Sequence, residues 1–535
     1  GVKAHFGRIF EICVEKNYQL DPSDPARKFK GRVVYQGNNV RDEWNDAAFF
    51  QDMASNPATM QGAKCCDAYS CIPGHTGQMA DAEAAYTQAL FRGTETWVEI
   101  PEHQRPAWWK DLPFDDPVCP LVLALYGHPE SGGYWEQHCE SHLLSVGFTK
   151  FPGDSWPSCY WHEALQLFLV VYVDDFKMSG PINNLKQGWK LMRTGIKMED
   201  PTPFGLYLGC YHERFQDEIH GERSAKVRGI VYNCEAFLKK CVERYLDLAG
   251  DNFKLTTVAT PFLGGNNDPG IFAPIGQGAW HECPWCKGRF DSADFGSGKG
   301  AAVHRETAAI LLVETKEDQQ RRATEAKGQL ASHAMRVLMS FLYGARMARF
   351  DLLRAISGLA TRVTTWDTSC DRRLHRFDWY VNSALHPRQF GYIGDSRCEL
   401  RVRLFSDADF AGCKGTARST TGVHLALQGS HSSFPLMGVS KKQDCVSYST
   451  PEAELVAAAW AVRREGLPAL DLWKVLLGED YGFRFLEDNQ SMIRVCQTGR
   501  NPTMRHLNRT HGVCIAWSKE VFDAPGRDLV YIRSE

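Results

Sequence analysis

The sequence predicts a multidomain chain in which an α+β unit is joined by a helical stretch to a C-terminal α/β unit, and three observations lead there. The chain has 535 residues, against roughly 100–200 for one domain, so about three to five units are expected. Charged residues make up 23% and aromatic residues 12%, which describes a folded chain and excludes a disordered tail or a fibrous repeat. The apolar pattern also changes along the chain. Strand-like runs alternate with helical ones up to Pro261, a helical pattern dominates 324–366, and strand and helix signals alternate again from Leu400.

The elements follow in order. Residues 1–261 form the first unit, and its clearest strand is Gln166-Leu-Phe-Leu-Val-Val-Tyr-Val173, rich in β-branched and aromatic residues. Residues 262–323 open on Gly264-Gly265-Asn266-Asn267-Asp268-Pro269-Gly270, the composition of a loop or linker. A helical connection is expected over 324–399, strongly helical in pattern from Thr324 to Trp366, and an α/β unit over 400–535, starting with the strand Arg401–Phe405. Lys and Arg total 61 against 64 Asp and Glu, which argues against a uniformly basic surface and leaves room for local basic grooves. No run approaches the roughly 18–20 apolar residues of a membrane helix, and no secretory signal opens the chain, so no membrane is expected. The 18 cysteines are scattered, without the spacing of a disulfide scaffold, and read as reduced thiols of an intracellular protein. A start at Gly1 and an end at Glu535 suggest a piece cut from a longer chain.

Asp174 and Asp175 close the Leu167–Val173 run, where two acids are badly placed for packing. They suit Mg²⁺, a hard cation that favours carboxylate oxygen; a plain turn pair is the alternative. Asp81 is a further acid, followed five positions on by Tyr86. In order and spacing, Asp81…Tyr86, Leu125-Tyr-Gly-His-Pro-Glu-Ser-Gly-Gly-Tyr-Trp135 and Tyr172-Val-Asp-Asp175 resemble the reverse transcriptase of copia-type LTR retrotransposon pol polyproteins. The resemblance implies an α+β polymerase with palm and fingers, in which Asp81, Asp174 and Asp175 hold two Mg²⁺ ions for phosphoryl transfer. Tyr86 matches the position whose ring excludes a ribonucleotide 2′-hydroxyl, with an ordinary core aromatic as the alternative. Tyr172 belongs to the same motif and is a substrate-site candidate, and Gly205-Leu-Tyr-Leu-Gly209 looks like the strand pair near the primer.

Phe29-Lys-Gly-Arg-Val-Val-Tyr-Gln-Gly37 resembles the fingers segment, within a basic stretch from Arg27 to Arg41. Lys30 and Arg32 are candidates to contact the incoming triphosphate or template phosphates, and a solvated charged face is the plainer reading. One departure stands out: Pro129-Glu130 replaces the family's Lys-Gln pair, placing a negative charge near the nucleotide site.

In the last unit, Ser406-Asp-Ala-Asp-Phe-Ala-Gly412, Ser440-Lys-Lys-Gln443, Ser449-Thr-Pro-Glu-Ala-Glu-Leu455 and Glu487-Asp-Asn-Gln-Ser491 resemble the same family's ribonuclease H. Thr450 is expected to cap a helix with Pro451 at its first position and Glu454 in its first turn. Asp407 at a strand end, Glu454 on that helix and Asp488 at another strand end would then converge on one metal cluster. The family's fourth carboxylate is replaced: the stretch reads His506-Leu507-Asn508, so Asn508 offers an uncharged oxygen, and His511 is a candidate for proton transfer. Arg494, Arg500, Arg505, Arg509 and Lys519 form a basic edge suited to a hybrid-duplex backbone. Cys283-Pro-Trp-Cys286 is half a zinc site, and a loop is the better reading because no second pair follows at standard spacing. The resemblance lapses between Leu263 and Arg322 and resumes at Met347–Asp351.

The resemblance implies an RNA-directed DNA polymerase with ribonuclease H activity that uses Mg²⁺, with Mn²⁺ able to substitute. Its partners would be an RNA template, a DNA or RNA primer, deoxynucleoside triphosphates and the RNA–DNA hybrid, in a cytoplasmic particle or the nucleus. The alternative is a decayed or domesticated remnant that binds nucleic acid with little catalysis, motivated by Glu130 and Asn508.

Overall fold

In the computed structural model the described residues are 3–16, 23, 27–50, 55–114, 116–220, 224–250, 255–263, 280–282, 289–291, 327–413, 416–478 and 481–533. Cys283 and Cys286, the half zinc site, lie outside them.

The N-terminal strand-like runs pair into a five-stranded sheet. Ala4–Lys16 runs antiparallel to Lys28–Tyr35 and parallel to Glu95–Glu99, with Val118–Pro120 beyond and Arg41–Asp42 on its flank. The register sets Val14 opposite Lys30 and Ile12 opposite Arg32, so both predicted cations stand on one face of a hairpin. The hairpin meets the Leu125–Trp135 block where the backbone N–H of Tyr35 donates to the Tyr126 carbonyl at 2.7 Å. Gly127 has φ +89°, and a Cβ there would fall 2.1 Å from the Tyr35 carbonyl oxygen, so this crossing requires glycine.

The second sheet has six strands in the order Thr202–Pro203, His75–Asp81, Asp175–Pro181, Leu167–Tyr172, Cys159–His162 and Thr149–Lys150. Leu167–Tyr172 is apolar at nearly every position because both faces are covered. Leu167, Leu169 and Val171 face a core shared with the helices Ser131–Ser145 and Ile182–Met192. Phe168 and Val170 join the core that includes the helix Met60–Cys71. That helix carries Asp67, whose carboxylate is fully buried 2.6 Å from the equally buried Lys177 ammonium and 3.3 Å from His212 Nε2. The Tyr232 hydroxyl donates to it at 2.9 Å.

The third sheet crosses the boundaries read from the sequence. Its nine strands run Leu206–Tyr207, Cys210–Ile219, Ala225–Asn233, Gln389–Ile393, Ser433–Lys442, Arg418–Gln428, Arg401–Cys413, Phe483–Glu487 and Arg527–Tyr531. One sheet therefore includes strands from residues assigned to the first unit, the connection and the last unit. Pairing is antiparallel until Arg401–Cys413, where Phe483–Glu487 and then Arg527–Tyr531 add in parallel. Among the described residues, no helix is long and apolar enough to cross a membrane.

Among the described residues, the helical stretch read from the sequence consists of separate helices, and the first break has a local cause. Ala334–Ala348 ends at Arg349, whose φ of −133° leaves the helical region, and a second helix spans Leu353–Ala360. Arg349 is buried and its guanidinium turns back onto the Asp351 carboxylate at 2.7–2.9 Å, which the break makes reachable. A third helix, Thr368–Ser383, starts where the Asp367 side chain accepts from the Cys370 N–H.

That third helix buries Asp378 completely, with no hydrogen-bond partner on either carboxylate oxygen, and burial pushes its carboxyl up to about 8. The folded value exceeds the unfolded one, so the folded state binds the extra proton and its stability falls as pH rises from about 4 to about 8. Replacing Asp378 with Leu should raise the melting temperature more at pH 8 than at pH 5.5, a difference on the order of 2–4 kcal/mol. Equal shifts at the two pH values would show that the carboxyl is not held neutral.

Candidate metal centres

The first centre is set by strand register. Asp81 ends the strand His75–Asp81 and Asp175 begins Asp175–Pro181, and the two are direct cross-strand partners. Asp174 occupies the connecting turn, its carbonyl accepting from the Ala82 N–H at 2.8 Å. The turn holds Val173 at φ +58°, a conformation that costs a β-branched residue about 1–3 kcal/mol. The Trp135 indole N–H steadies it by donating to the Val173 carbonyl at 2.7 Å. Trp135→Phe should therefore lower the unfolding free energy by about 1–2 kcal/mol, the cost of a lost partner for a part-buried carbonyl. A thermal melt unchanged from wild type would show that the indole does not restrain the turn.

The acids of this centre are half-buried. Tyr86 is half-buried too, its ring centroid 4.7 Å from that of Tyr126, and the Arg32 guanidinium lies 5.8 Å from the Tyr126 ring. Burial, and after it the Asp174 carboxylate, raises the Tyr86 phenol, and the same two causes lead in Tyr126. Arg32, Tyr126, Tyr86 and Asp174 thus form a row from the N-terminal hairpin to the acid turn. Tyr86 also packs against two apolar clusters, so its core and site readings are compatible. Tyr172 ends its strand half-buried, and Lys30 is exposed on the hairpin. Glu130, expected to place a negative charge near the nucleotide site, is buried and accepts from the Tyr134 hydroxyl at 2.6 Å.

The second centre is tighter. Asp407, Glu454 and Asp488 each offer a carboxylate oxygen within 4.8 Å of the others, and among the described residues no other group of three or more His, Cys, Asp or Glu gathers so closely. Asp81, Asp174 and Asp175 therefore lie together at the ends of adjacent interior strands without converging to that degree. Two local expectations change here. Asp407 lies in the middle of Arg401–Cys413 and not at its end, because pairing with Arg418–Gln428 continues past it to Asp409 and resumes, after a shift of register, at Cys413. Ser449, not Thr450, occupies the extended N-cap position of the helix Thr450–Ala461, so Glu452 fills the first turn and Glu454 falls just beyond it. Asp488 directly follows the strand Phe483–Glu487, as its sequence position suggested.

Burial first, then Glu487, Asp407 and Asp488, pushes the Glu454 carboxyl up to about 9. Burial is also the largest cause raising Glu487, to about 8, and Asp407, where the Asp488 charge follows it. Glu454 and Glu487 each keep one buried oxygen without a hydrogen-bond partner. Crowded acids, all-oxygen donors and orphaned oxygens fit a hard divalent cation such as Mg²⁺. Glu487 was not singled out from the sequence, although a second acid beside Asp488 at a strand end was a readable signal.

The neighbours of this centre are less as expected. His511 Nε2 stands 3.6 Å from Glu452 Oε1, and His506 Nε2 is 3.1 Å from the same oxygen, so both rings address Glu452. Asn508 is exposed on the short helix Leu507–Thr510 and lines a groove with Arg500 and Arg505. Arg494 lines another with Ser449 and Pro451 at the start of the Glu454 helix. Lys519 is drawn to Asp523 and is not a free cation of the edge. Asp409 pairs with Arg354 at 3.1 Å.

Among the described residues, one close carboxylate group lies on the nine-stranded sheet and its adjoining helix, and three further acids lie together at strand ends of the six-stranded sheet. No protein-family model matches the chain. Over 443 residues, 80% of its length, it is 24% identical to a Nicotiana tabacum protein described as the Retrovirus-related Pol polyprotein from transposon TNT 1-94. The chain spans 27% of that relative's length. The similarity supports a retrotransposon Pol polyprotein.

Proposed function

We propose that the chain is an RNA-directed DNA polymerase joined to a ribonuclease H, the reverse-transcribing portion of a copia-type Pol polyprotein. The observation that carries this reading is the convergence of Asp407, Glu454 and Asp488 within 4.8 Å, around a buried Glu454 oxygen that nothing satisfies. The cross-strand pair of Asp81 and Asp175, with Asp174 at the turn, supports a second acidic centre in the same chain. Mg²⁺ bound at such centres supplies Lewis-acid stabilisation of the attacking and leaving oxygens. The chain's own residues do the rest. Val173 and Trp135 fix the direction of Asp174. The Tyr86 ring closes the space beside Asp174 where a sugar 2′-hydroxyl would stand. Lys30 and Arg32 meet triphosphate or template phosphates, and Arg494, Arg500 and Arg505 take the backbone of the hybrid next to Glu454.

The test is primer extension on a labelled RNA template in Mg²⁺ or Mn²⁺. Asp174→Asn should abolish synthesis and leave cleavage, while Asp488→Asn should abolish cleavage and leave synthesis. Wild-type protein inert in both assays would overturn the proposal. A second reading, a nucleic-acid-binding remnant with weak catalysis, is favoured by Asn508 standing where a carboxylate is expected, and predicts binding of the hybrid without turnover.

A further inference from the structure

Behind the second acid centre lies a groove of about 400 Å³ that this reaction does not use. Its walls come from the end of the strand Ser433–Lys442, one face of the helix Thr450–Ala461 and the helix Ile515–Asp523. Three cations, Lys441, Lys442 and Arg463, line it together with two indoles, Trp460 and Trp517. Asp444 is the one acid in the lining, and its pairing with Lys441 is loose, at 3.8 Å with Asp444 88% exposed. The Lys441 ammonium stands 5.8 Å from the Trp460 ring centroid, and Lys442 is steadied by the Cys413 sulfur at 3.0 Å. His511, which also lines the groove, stands 3.6 Å from Glu452, two residues before Glu454 and so on a different face of the helix.

We propose that this groove binds an unpaired nucleic-acid strand, with a base stacked on an indole and the adjoining phosphates on Lys441, Lys442 and Arg463. The volume falls within the roughly 300–1,000 Å³ range of small-ligand sites. Flat indoles beside cations match alternating bases and phosphates, the pairing that single-strand binders use without sequence preference. A duplex hides its base faces, and an acidic peptide would engage the cations while leaving the indoles without a flat partner. The groove therefore serves strand retention and needs no chemistry at the acid centres, so it stands or falls apart from the proposed reaction.

The test is fluorescence anisotropy of a labelled short oligothymidylate with the full chain. Trp517→Leu should weaken binding about tenfold, whereas Trp517→Phe, which keeps a stacking face, should stay within about twofold of wild type. Lys441→Gln combined with Arg463→Gln should flatten the dependence of log Kd on log salt by about one unit or more. Oligothymidylate binding with wild-type affinity and salt slope in both Trp517→Leu and the Lys441/Arg463 variant would overturn the proposal. So would capture of polyglutamate in place of the oligonucleotide. If Trp517→Leu fails to fold, Trp517→Phe and the Lys441/Arg463 variant decide. Cleavage of a hybrid is assayed separately on wild type, so a failure of the cleavage reading is distinguished from a failure of oligonucleotide binding.

Discussion

Glu454→Gln should make the metal-free protein more stable while abolishing cleavage of a hybrid. Glu454 is buried among Glu487, Asp407 and Asp488, so its carboxyl stays protonated well above the usual range or strains the fold when ionised. Removing that ionisable group relieves the repulsion, a gain of about 1–3 kcal/mol in chelator. Wild type should recover stability on adding Mg²⁺, because a ligand that binds only the folded state shifts unfolding by mass action, and the variant should not. Cleavage should fall at least about 10³-fold, since the glutamine offers the same shape without the charge that metal binding uses. A variant less stable than wild type in chelator would mean that Glu454 is held by partners and is not a strained acid.

The second large effect concerns a buried ion cluster remote from chemistry. Asp67→Leu should cost about 3–5 kcal/mol, because it leaves Lys177 charged and fully buried without its counter-ion. Combining it with Lys177→Met should restore most of that loss, as no uncompensated charge remains. Burial alone would raise the Asp67 carboxyl, but Lys177 and His212 outweigh it and hold it down to about 2. Its folded value lies below the unfolded one, so this contribution is present above about pH 4 and is lost as pH falls towards 2. Denaturant melts of the two single variants and the double settle the matter. Additive losses in the double variant would show that the pair is not coupled.

What the sequence revealed divides along physical lines. The Leu167–Asp175 hairpin was legible because a strand covered on both faces must be apolar throughout and two acids cannot sit inside it. The acids at 407, 454 and 488 were legible as motifs, and their ordering along the chain placed them in one unit. Helix 60–71 hid Asp67, Lys64 and the buried cysteines, because its polar residues find their partners on elements distant in sequence and leave no clean apolar stripe. The cap at Ser449 was missed by one residue, since Ser and Thr are both good caps and only backbone conformation separates them. Glu130 is read by comparison with the family's Lys-Gln pair, which gives no sign of its hydrogen bond from Tyr134 in the helix Ser131–Ser145 that it precedes. The nine-stranded sheet was illegible because strand partners distant in sequence leave no local trace.

That sheet carries a consequence for how such a chain can vary over evolutionary time. Ala225–Asn233 and Gln389–Ile393 are adjacent strands, in register from Arg228 opposite Ile393 to Tyr232 opposite Gln389. Between them the described chain passes through the helices Glu235–Ala249, Ala334–Ala348, Leu353–Ala360 and Thr368–Ser383 and returns to the neighbouring position in the sheet. Lengthening a closed excursion is cheap, about 0.6 kcal/mol for each doubling of a flexible loop. Its two anchor points, by contrast, are fixed by five paired residues a side. New sequence can therefore accumulate inside the excursion with little penalty to the rest of the fold, while the paired strands admit almost no change of spacing.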